Sequence, residues 1–495
     1  MKSFPLARGL AVAAAVLGAA AVQAQSNLVD LGLGSAHAIN ASGEAALDQG
    51  IYSSGTGVTP LPSLPGSTAP SVALAINSSG EVAGSDVLVS DAFHPIAYFN
   101  GTLTDLGAAV LVGDLTGNSG AATGINANRQ IVGWYVSDAT RDSLTSFIFS
   151  NGAMTPLPAL TCQAISAGCT FSQGVMALGI NDSGMVSGLL TYQTSSSAPV
   201  NGCTKLTVAV LYTQGSWQIL APGTAYALNA SGQVTGALSI FDYALAATQC
   251  SIVSSNAFLY ANGSVTNLGT LPGGANSYGY AINRSGEVVG ASEFGGGTAT
   301  HAFFYNGVMI DLNSVISPTD PLQPFVTLTE ARGINDGRLI VANGVDSRTN
   351  LNHAYLLEGP GIDVSPGRFT FTLVSSSSIP VTVTNSGATP VSIDGVSTAT
   401  PFSQTNDCGS ALAANSECTI TVTAPNELQG RVASGALTIT AGGVAYAVAL
   451  SLNTVPPTPV DPPINTPAPP THGGGRLDWL SLSVLLWLLG RRRST

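Results

Sequence analysis

Charge is what this sequence has least of. Only 8% of its 495 residues are Asp, Glu, Lys or Arg, against about 25% in an ordinary soluble domain. Long helix formers are scarce as well, which argues against a helical protein. Basic residues are the rarer sign, 15 against 27 acidic, for a net charge of −12. A polyanion such as nucleic acid would be repelled, so no nucleic-acid partner is expected. The signatures of common chemistries are missing too. There is no Gly-x-Ser-x-Gly elbow and no His-Glu-x-x-His, and "TGNSGA" (Thr116–Ala121) is only a loop with a serine. "INDSG" lacks the spaced acids and closing Glu of a calcium loop. Glu44, Glu81 and Glu287 recur, but a glycosidase needs two carboxylates converging on one bond, and these occupy one equivalent place in different repeats. His301 and His353 do not extend to a ring of ligands, because Asn256 and Ser146 stand at equivalent places. Hydrogen bonding is the expected role for both. No catalytic residue, metal or cofactor is assigned.

What the chain does have is glycine, 57 residues of it, and repetition. Ile/Leu-Asn recurs at Asn40, Asn77, Asn126, Asn181, Asn229, Asn283 and Asn335, with steps of 37, 49, 55, 48, 54 and 52 residues. A period near 50 holding several short strands predicts a repeat architecture. In "YAINRSGEVVG" (Tyr280–Gly290) an apolar strand meets Asn-Arg-Ser-Gly and returns. Asn bonds its own backbone two residues on, and Gly takes the left-handed conformation, so the motif reads as a β-hairpin. "INANRQIVG" lacks that Gly and "INDGRLIVA" places it one residue earlier, so those two turns are expected to differ. A second hairpin follows, clearest in "HAFFYNGVMIDL" (His301–Leu312), where Asn-Gly joins an aromatic-rich strand to one ending in Asp-Leu. Each unit therefore has four strands, a to d.

The two ends of this region complement each other. After Asn335 comes a c-type strand, "HAYLLEG", without a good d strand. "LVDLG" (Leu28–Gly32) is a d strand with no unit before it. Joining them predicts an all-β, seven-bladed β-propeller of four-stranded blades, closed so that no sheet edge is left exposed. "GPGIDV" (Gly359–Val364) competes for the missing position, and an open β-solenoid is the alternative stacking.

These strings resemble the HAF-type extracellular repeat family, named for "HAF", an aromatic strand, "DLG" and "GIN..G.VVG". The resemblance covers about Asn27 to Gly359 and departs most in the first unit, where "LDQGIYSSGTGVTPL" lacks His-Ala-Phe. It implies an exported bacterial protein, with no established activity and no catalytic residues to transfer.

Four further segments are expected. Residues 1–24, with Lys2, Arg8 and an apolar run ending in Val22-Gln-Ala24, read as a signal peptide, which places the propeller at 26–360. Residues 361–454 carry six short strands of an Ig-like β-sandwich of antiparallel type. That stretch is similar to bacterial Ig-like (choice-of-anchor D-like) modules with "VTNSG" and "C…CTITV", and the resemblance implies a Cys408–Cys418 disulfide and a spacer role. Residues 455–472, with eight prolines, form a stiff linker. Residues 473–495 place Gly473, Gly474 and Gly475 before a short apolar run and Arg491, Arg492 and Arg493. This order resembles GlyGly-CTERM sorting tails and implies processing by a rhomboid-type protease. An uncut membrane anchor is the other reading.

Six cysteines in an exported chain favour disulfides. Cys162 and Cys169 fall in a d–a connection, and Cys203 and Cys250 in b–c loops, all on one face of the expected ring. Cys162–Cys169 with Cys203–Cys250 is the first choice among three pairings. Long loops on one face suit recognition, so Tyr192, Trp217 and Tyr243 are the candidate contacts. The expected function is a surface-tethered binding or adhesion module for a surface glycan or protein. A polysaccharide hydrolase or lyase, or a purely structural envelope protein, is the alternative.

Overall fold

The computed structural model describes residues 26–88, 93–107, 119–136, 144–161, 169–195, 205–241, 252–297, 299–372, 378–387, 389–424 and 432–453. The expected signal peptide, proline linker and sorting tail lie outside these residues.

The elements assigned among the described residues are β-strands and a 3-10 turn at Leu312–Ser314. Up to Glu358 it forms antiparallel four-strand meanders, the propeller architecture. The unit around the quoted hairpin shows the pattern: Ser277–Ile282 (a), Val288–Phe294 (b), Ala299–Tyr305 (c) and Met309–Asp311 (d), hydrogen-bonded in that order. Two neighbouring units are fused through one 13-residue strand, Ser216–Leu228, which serves first as d and then as a. It turns between the two roles at Gly223, whose φ is +125°. A Cβ there would sit 1.9 Å from the Ala237 carbonyl oxygen, so only Gly fits.

The last unit joins the two ends of the region. Val326–Ile334, Leu339–Asp346 and Leu351–Glu358 are its a, b and c strands, and its d strand is Val29–Leu33. "GPGIDV" takes no part, since Ile362–Ser365 pairs with Ser378–Asn385 instead. The closure is also clamped by side chains. His353 Nδ1 lies 3.0 Å from an Asp30 carboxylate oxygen, and Asp320 accepts from the Leu28 N–H at 2.6 Å.

At the hub the recurring asparagines form a closed cycle. Each Nδ2 donates to the backbone carbonyl of the next: Asn40 to Asn77, then Asn126, Asn181, Asn229, Asn283, Asn335 and back to Asn40, at 2.9–3.4 Å. Each Oδ1 accepts an N–H from its own turn, as with Ser231 and Gln233 onto Asn229, both at 3.0 Å. In five units Glu or Gln four residues on accepts the second Nδ2 proton. Glu44, Glu81 and Glu287 are therefore partners of the ring asparagines, and Glu81 and Glu287 are buried.

The two turns expected to differ do not. Arg129 and Arg338 occupy the glycine position with φ of 59° and 61°, and their N–H groups donate to Asn126 and Asn335 carbonyls as glycine does elsewhere. The left-handed conformation costs a non-glycine residue about 1 kcal/mol. Each Arg offsets that by reaching a carboxylate in the preceding unit. Arg129 meets Glu81 at 2.5 Å, and Arg338 meets Glu287.

The outer Asn-Gly turns at Asn100, Asn151 and Asn262 have positive φ at both central residues, the hairpin geometry expected. Asn306–Gly307 departs from it. The Asn306 amide instead donates to the Ile362 carbonyl and to Asp363, both at 2.8 Å, tying this turn to the C-terminal unit.

That unit is two facing sheets. Ile362–Ser365, Ser378–Asn385, Ser416–Thr423 and Ser403–Asn406 make one. Arg368–Thr372, Val444–Asn453, Val432–Ala441, Val391–Thr398 and Ala411–Leu412 make the other. Val381, Val383, Ile420 and Val422 are buried with Leu437, Ile439 and Val448 in a single core. The expectation of wholly antiparallel pairing fails at one place. Arg368–Thr372 runs parallel to Val444–Asn453, because the chain crosses between sheets after Ser365 and enters the second from the same end. Cys408 and Cys418 are disulfide-bonded. The core is continuous with that of the last two propeller units, and Arg338 bonds Asp363, the Pro360 carbonyl and Ser386 across the junction.

Candidate functional site

In every unit the a strand lies innermost and carries a β-bulge. The pairing register shifts at the residue three before the ring asparagine: at His37, Leu74, Thr123, Leu178, Tyr226, Tyr280 and Arg332. A bulge re-aims a side chain, and all seven of these line one central cavity of about 280 Å³. On either side of the bulge stand Ala or Gly, as in Gly279-Tyr280-Ala281 and Ala331-Arg332-Gly333. Seven strands converge here and leave no room for more. The Thr235 hydroxyl would lie 2.2 Å from a Cβ on Gly279. Next comes Ile or Leu in all seven units, then Asn. The frame is thus constant, and the bulged residue alone varies widely in chemistry.

The variation is sorted around the ring. Because the last unit abuts the first, Tyr226, Tyr280, Arg332 and His37 form one contiguous polar and aromatic arc. Leu74, Thr123 and Leu178 form the other. Within the first arc, Tyr226 and Tyr280 meet edge to face at 5.4 Å, and Tyr278 stacks on Tyr280 at 6.3 Å. The Arg332 guanidinium lies 4.0 Å over the Tyr280 ring, a cation–π contact. Arg332 also pairs with Glu330 at 2.8 Å, and Glu330 is held by the Asn343 amide at 2.9 Å. His37 Nε2 sits 2.8 Å from an Asp48 carboxylate oxygen. Burial raises the Tyr226 hydroxyl's pKa, with Tyr278 adding to the effect. Burial pushes Tyr280 up to about 12, although Arg332 pulls the other way. Both phenols are therefore neutral donors at physiological pH. The Asp48 carboxyl is held low, first by its hydrogen bond from His37 and then, against burial, by the Ser35 N–H.

Of the contacts singled out from sequence, Tyr192 and Trp217 are not brought together. Tyr192 is 0% exposed, packed among Leu190, Leu206 and Val208, and burial drives its hydroxyl pKa far up. It points into the sheet-to-sheet core and offers no surface. Trp217 sits opposite Tyr212 beside the c–d turn, its indole N–H donating to the Pro158 carbonyl at 2.8 Å. In a meander that is the opposite end of the sheet from the b–c loops, so Trp217 does not share their face. Tyr243, Cys162, Cys203 and Cys250 lie outside the described residues. Cys169 is disulfide-bonded, with its partner outside them too.

His301 and His353 make the structural contacts expected of them, and a further histidine follows the same rule. His94, His301 and His353 each open a c strand and each meets the Asp of the adjacent d strand: Asp105 at 3.0 Å, Asp311 at 2.7 Å and Asp30 at 3.0 Å. That Asp also accepts a backbone N–H two residues on, from Gly107, Asn313 and Gly32. The paired "H" and "D" of the repeat thus bond one another.

No protein-family model matches the sequence, and neither does any curated protein. Among solved structures, the chain is similar to the β-propeller domain of the Trilobed protease from Pyrococcus furiosus, at 10% identity over 66% of this chain and 94% of that one, with a TM-score of 0.36. It is similar to TolB from Acinetobacter baumannii at 10% identity, over 57% of this chain and 64% of that one, with a TM-score of 0.29. A mutant Aleuria aurantia lectin in complex with Fucα1-6GlcNAc matches at 13% identity, over 57% of this chain and 90% of that one, with a TM-score of 0.27. Likeness at this level carries no argument about what this chain binds.

Proposed function

We propose that this chain is an exported, surface-tethered binding module of the HAF-repeat kind. Its seven-bladed propeller takes a glycan at the mouth of the central cavity. The Ig-like unit serves as spacer, with the proline linker behind it. The C-terminal tail engages the membrane and a rhomboid-type protease. The observation that carries the binding reading is the bulged ring: seven equivalent side chains aimed into one cavity, the only widely varied position in a fixed frame, with tyrosines and an arginine gathered on one side. Tyrosine rings pack against the apolar faces of sugars while their hydroxyls reach polar groups. A cavity of about 280 Å³ falls at the small end of ligand sites, which suits one sugar ring better than a long segment. Of the eight exposed large apolar side chains among the described residues, six (Leu33, Phe93, Phe171, Val253, Phe325 and Leu351) lie at the strand ends bearing the b–c and d–a connections. The a strands begin at that same end, so a ligand approaches the tyrosines from there.

Binding is favoured over turnover because the recurring carboxylates are committed elsewhere. Glu44, Glu81 and Glu287 hold the ring asparagines, and Glu330 holds Arg332. A glycan array probed with the wild-type chain and with Tyr226→Ala/Tyr280→Ala tests the proposal. Loss of a central aromatic anchor costs about 2 kcal/mol or more, so array signals should fall by roughly thirtyfold. A silent array, or signals untouched by the double variant, would refute it.

A further inference from the structure

The varied ring also specifies which end of a glycan fits. Resting on the binding reading above, we propose that the cavity selects an acidic sugar, its carboxylate taken by Arg332 and its ring lodged between the tyrosine arc and the aliphatic arc.

Three observations converge. Arg332 is the arginine among the seven bulged residues, and its guanidinium carbon lies 4.0 Å from the centroid of the Tyr280 ring at the cavity wall. Its sole ion-pair or hydrogen-bond partner among the described residues is Glu330, met through one terminal nitrogen at 2.8 Å. A guanidinium carries five N–H donors in a planar fork that matches a carboxylate two bonds at a time. Most of that capacity is left unused by the described residues. Second, the arginine is held in place. Tyr280 supports it from one face, and Glu330 is itself fixed by Asn343, whose side chain also bonds the Ala36 N–H and carbonyl in the next unit. A fork fixed before the ligand arrives gives up little side-chain freedom on binding. Third, across the cavity stand Leu74 and Leu178, an apolar wall for the C–H face of a sugar ring. On the far side of the Ile/Leu layer a separate shallow hollow opens among the asparagine turns. Entry from the end where the a strands begin suits a terminal residue.

Glu330 gives the inference an unusual control. It already satisfies part of Arg332 and places a negative charge near the incoming carboxylate. Neutralising it should strengthen acid binding, the opposite of what damage to the fold would do.

The experiment is calorimetric titration of the folded chain with trigalacturonate, its neutral methyl ester, and benzoate. In the wild type the acid should bind at least about tenfold tighter than the ester, the size of a charged hydrogen-bonded contact. Arg332→Gln should erase that preference by weakening acid binding at least about tenfold, and Glu330→Gln should tighten acid binding several-fold. Equal binding of acid and ester, with Arg332→Gln without effect, would overturn the carboxylate assignment while leaving glycan binding standing. Benzoate binding as tightly as trigalacturonate would overturn the saccharide assignment. Weaker acid binding in Glu330→Gln would overturn the account of Arg332. Failure of all three probes overturns the acidic-sugar inference, and the array decides separately whether the broader reading fails with it.

Discussion

Replacing Asn229 asks whether the hub cycle joins units or merely shapes turns. Asn229 is buried, and its side chain makes four hydrogen bonds. Its Oδ1 accepts from Ser231 and Gln233, and its Nδ2 donates to the Gln233 side chain at 2.6 Å and to the Asn283 carbonyl at 2.9 Å. Net contributions near 1 kcal/mol per neutral bond put Asn229→Ala at about 3–4 kcal/mol of destabilisation. Asn229→Asp is the sharper probe. Aspartate shapes the same turn by accepting the same two N–H groups, but it cannot donate to the next unit and sets an oxygen against the Asn283 carbonyl. If the cycle holds units together, Asn229→Asp loses about 2 kcal/mol or more. If only the turn matters, it stays near wild type. The assay is urea unfolding followed by intrinsic fluorescence. With a slope of about 2 kcal/mol/M, the midpoint should drop by roughly 1 M. Ser231→Ala, an exposed turn residue, should shift it by no more than about 0.25 M. An Asn229→Asp midpoint matching the wild type would refute the reasoning.

Three further outcomes follow from the same structure. Arg129→Gly removes left-handed strain together with the Glu81 ion pair and should be neutral within about 1 kcal/mol. Arg129→Ala keeps the strain and loses the pair, so its unfolding free energy from urea denaturation should fall further, by about 1 kcal/mol more. Deleting residues 26–33 strips the closing strand from Leu351–Glu358 and bares a sheet edge, so size-exclusion chromatography should show self-association. Acid should destabilise the fold in part through Asp86 and Asp48. Burial opposes ionisation of Asp86, but the Leu64 N–H and the Ser67 and Ser71 hydroxyls outweigh it and hold its pKa below the usual value. A depressed carboxylate contributes its stability above the unfolded-state pKa, near 3.9, and loses it as pH falls through the lower folded value. Asp86→Asn should flatten the pH dependence of the urea midpoint below about pH 4.

Much of the architecture could be read directly, because it is written in hairpins whose turns have fixed chemistry. Asn-x-Ser-Gly and Asn-Gly mark reversals by backbone necessity, and "LVDLG" announced itself as an unpaired d strand. The two arginine turns depart from the expectation because local sequence assigns the αL position to glycine. A compensating ion pair in the neighbouring unit is a long-range fact no local string contains. Tyr192 adjoins the long b–c loop in sequence and so reads as part of the loop face, whereas it packs in a core with Leu206 and Val208. The ring of bulged residues is hidden in the sequence for a related reason. A bulge breaks the two-residue alternation by one position, so Tyr280 in "YAIN" read as one more alternating apolar residue. The signal was nonetheless present. Aligning the seven copies at asparagine leaves small residues at the second and fourth places before it. Between them stands His, Leu, Thr, Leu, Tyr, Tyr or Arg.

The most direct measurement is a crystal structure of the chain soaked with an acidic oligosaccharide. The account predicts density for a terminal sugar ring in the central cavity, its carboxylate within hydrogen-bond distance of Arg332 and its ring against Tyr226 and Tyr280. A sugar bound instead on an outer strand or between neighbouring units, with the cavity holding only water, would contradict it.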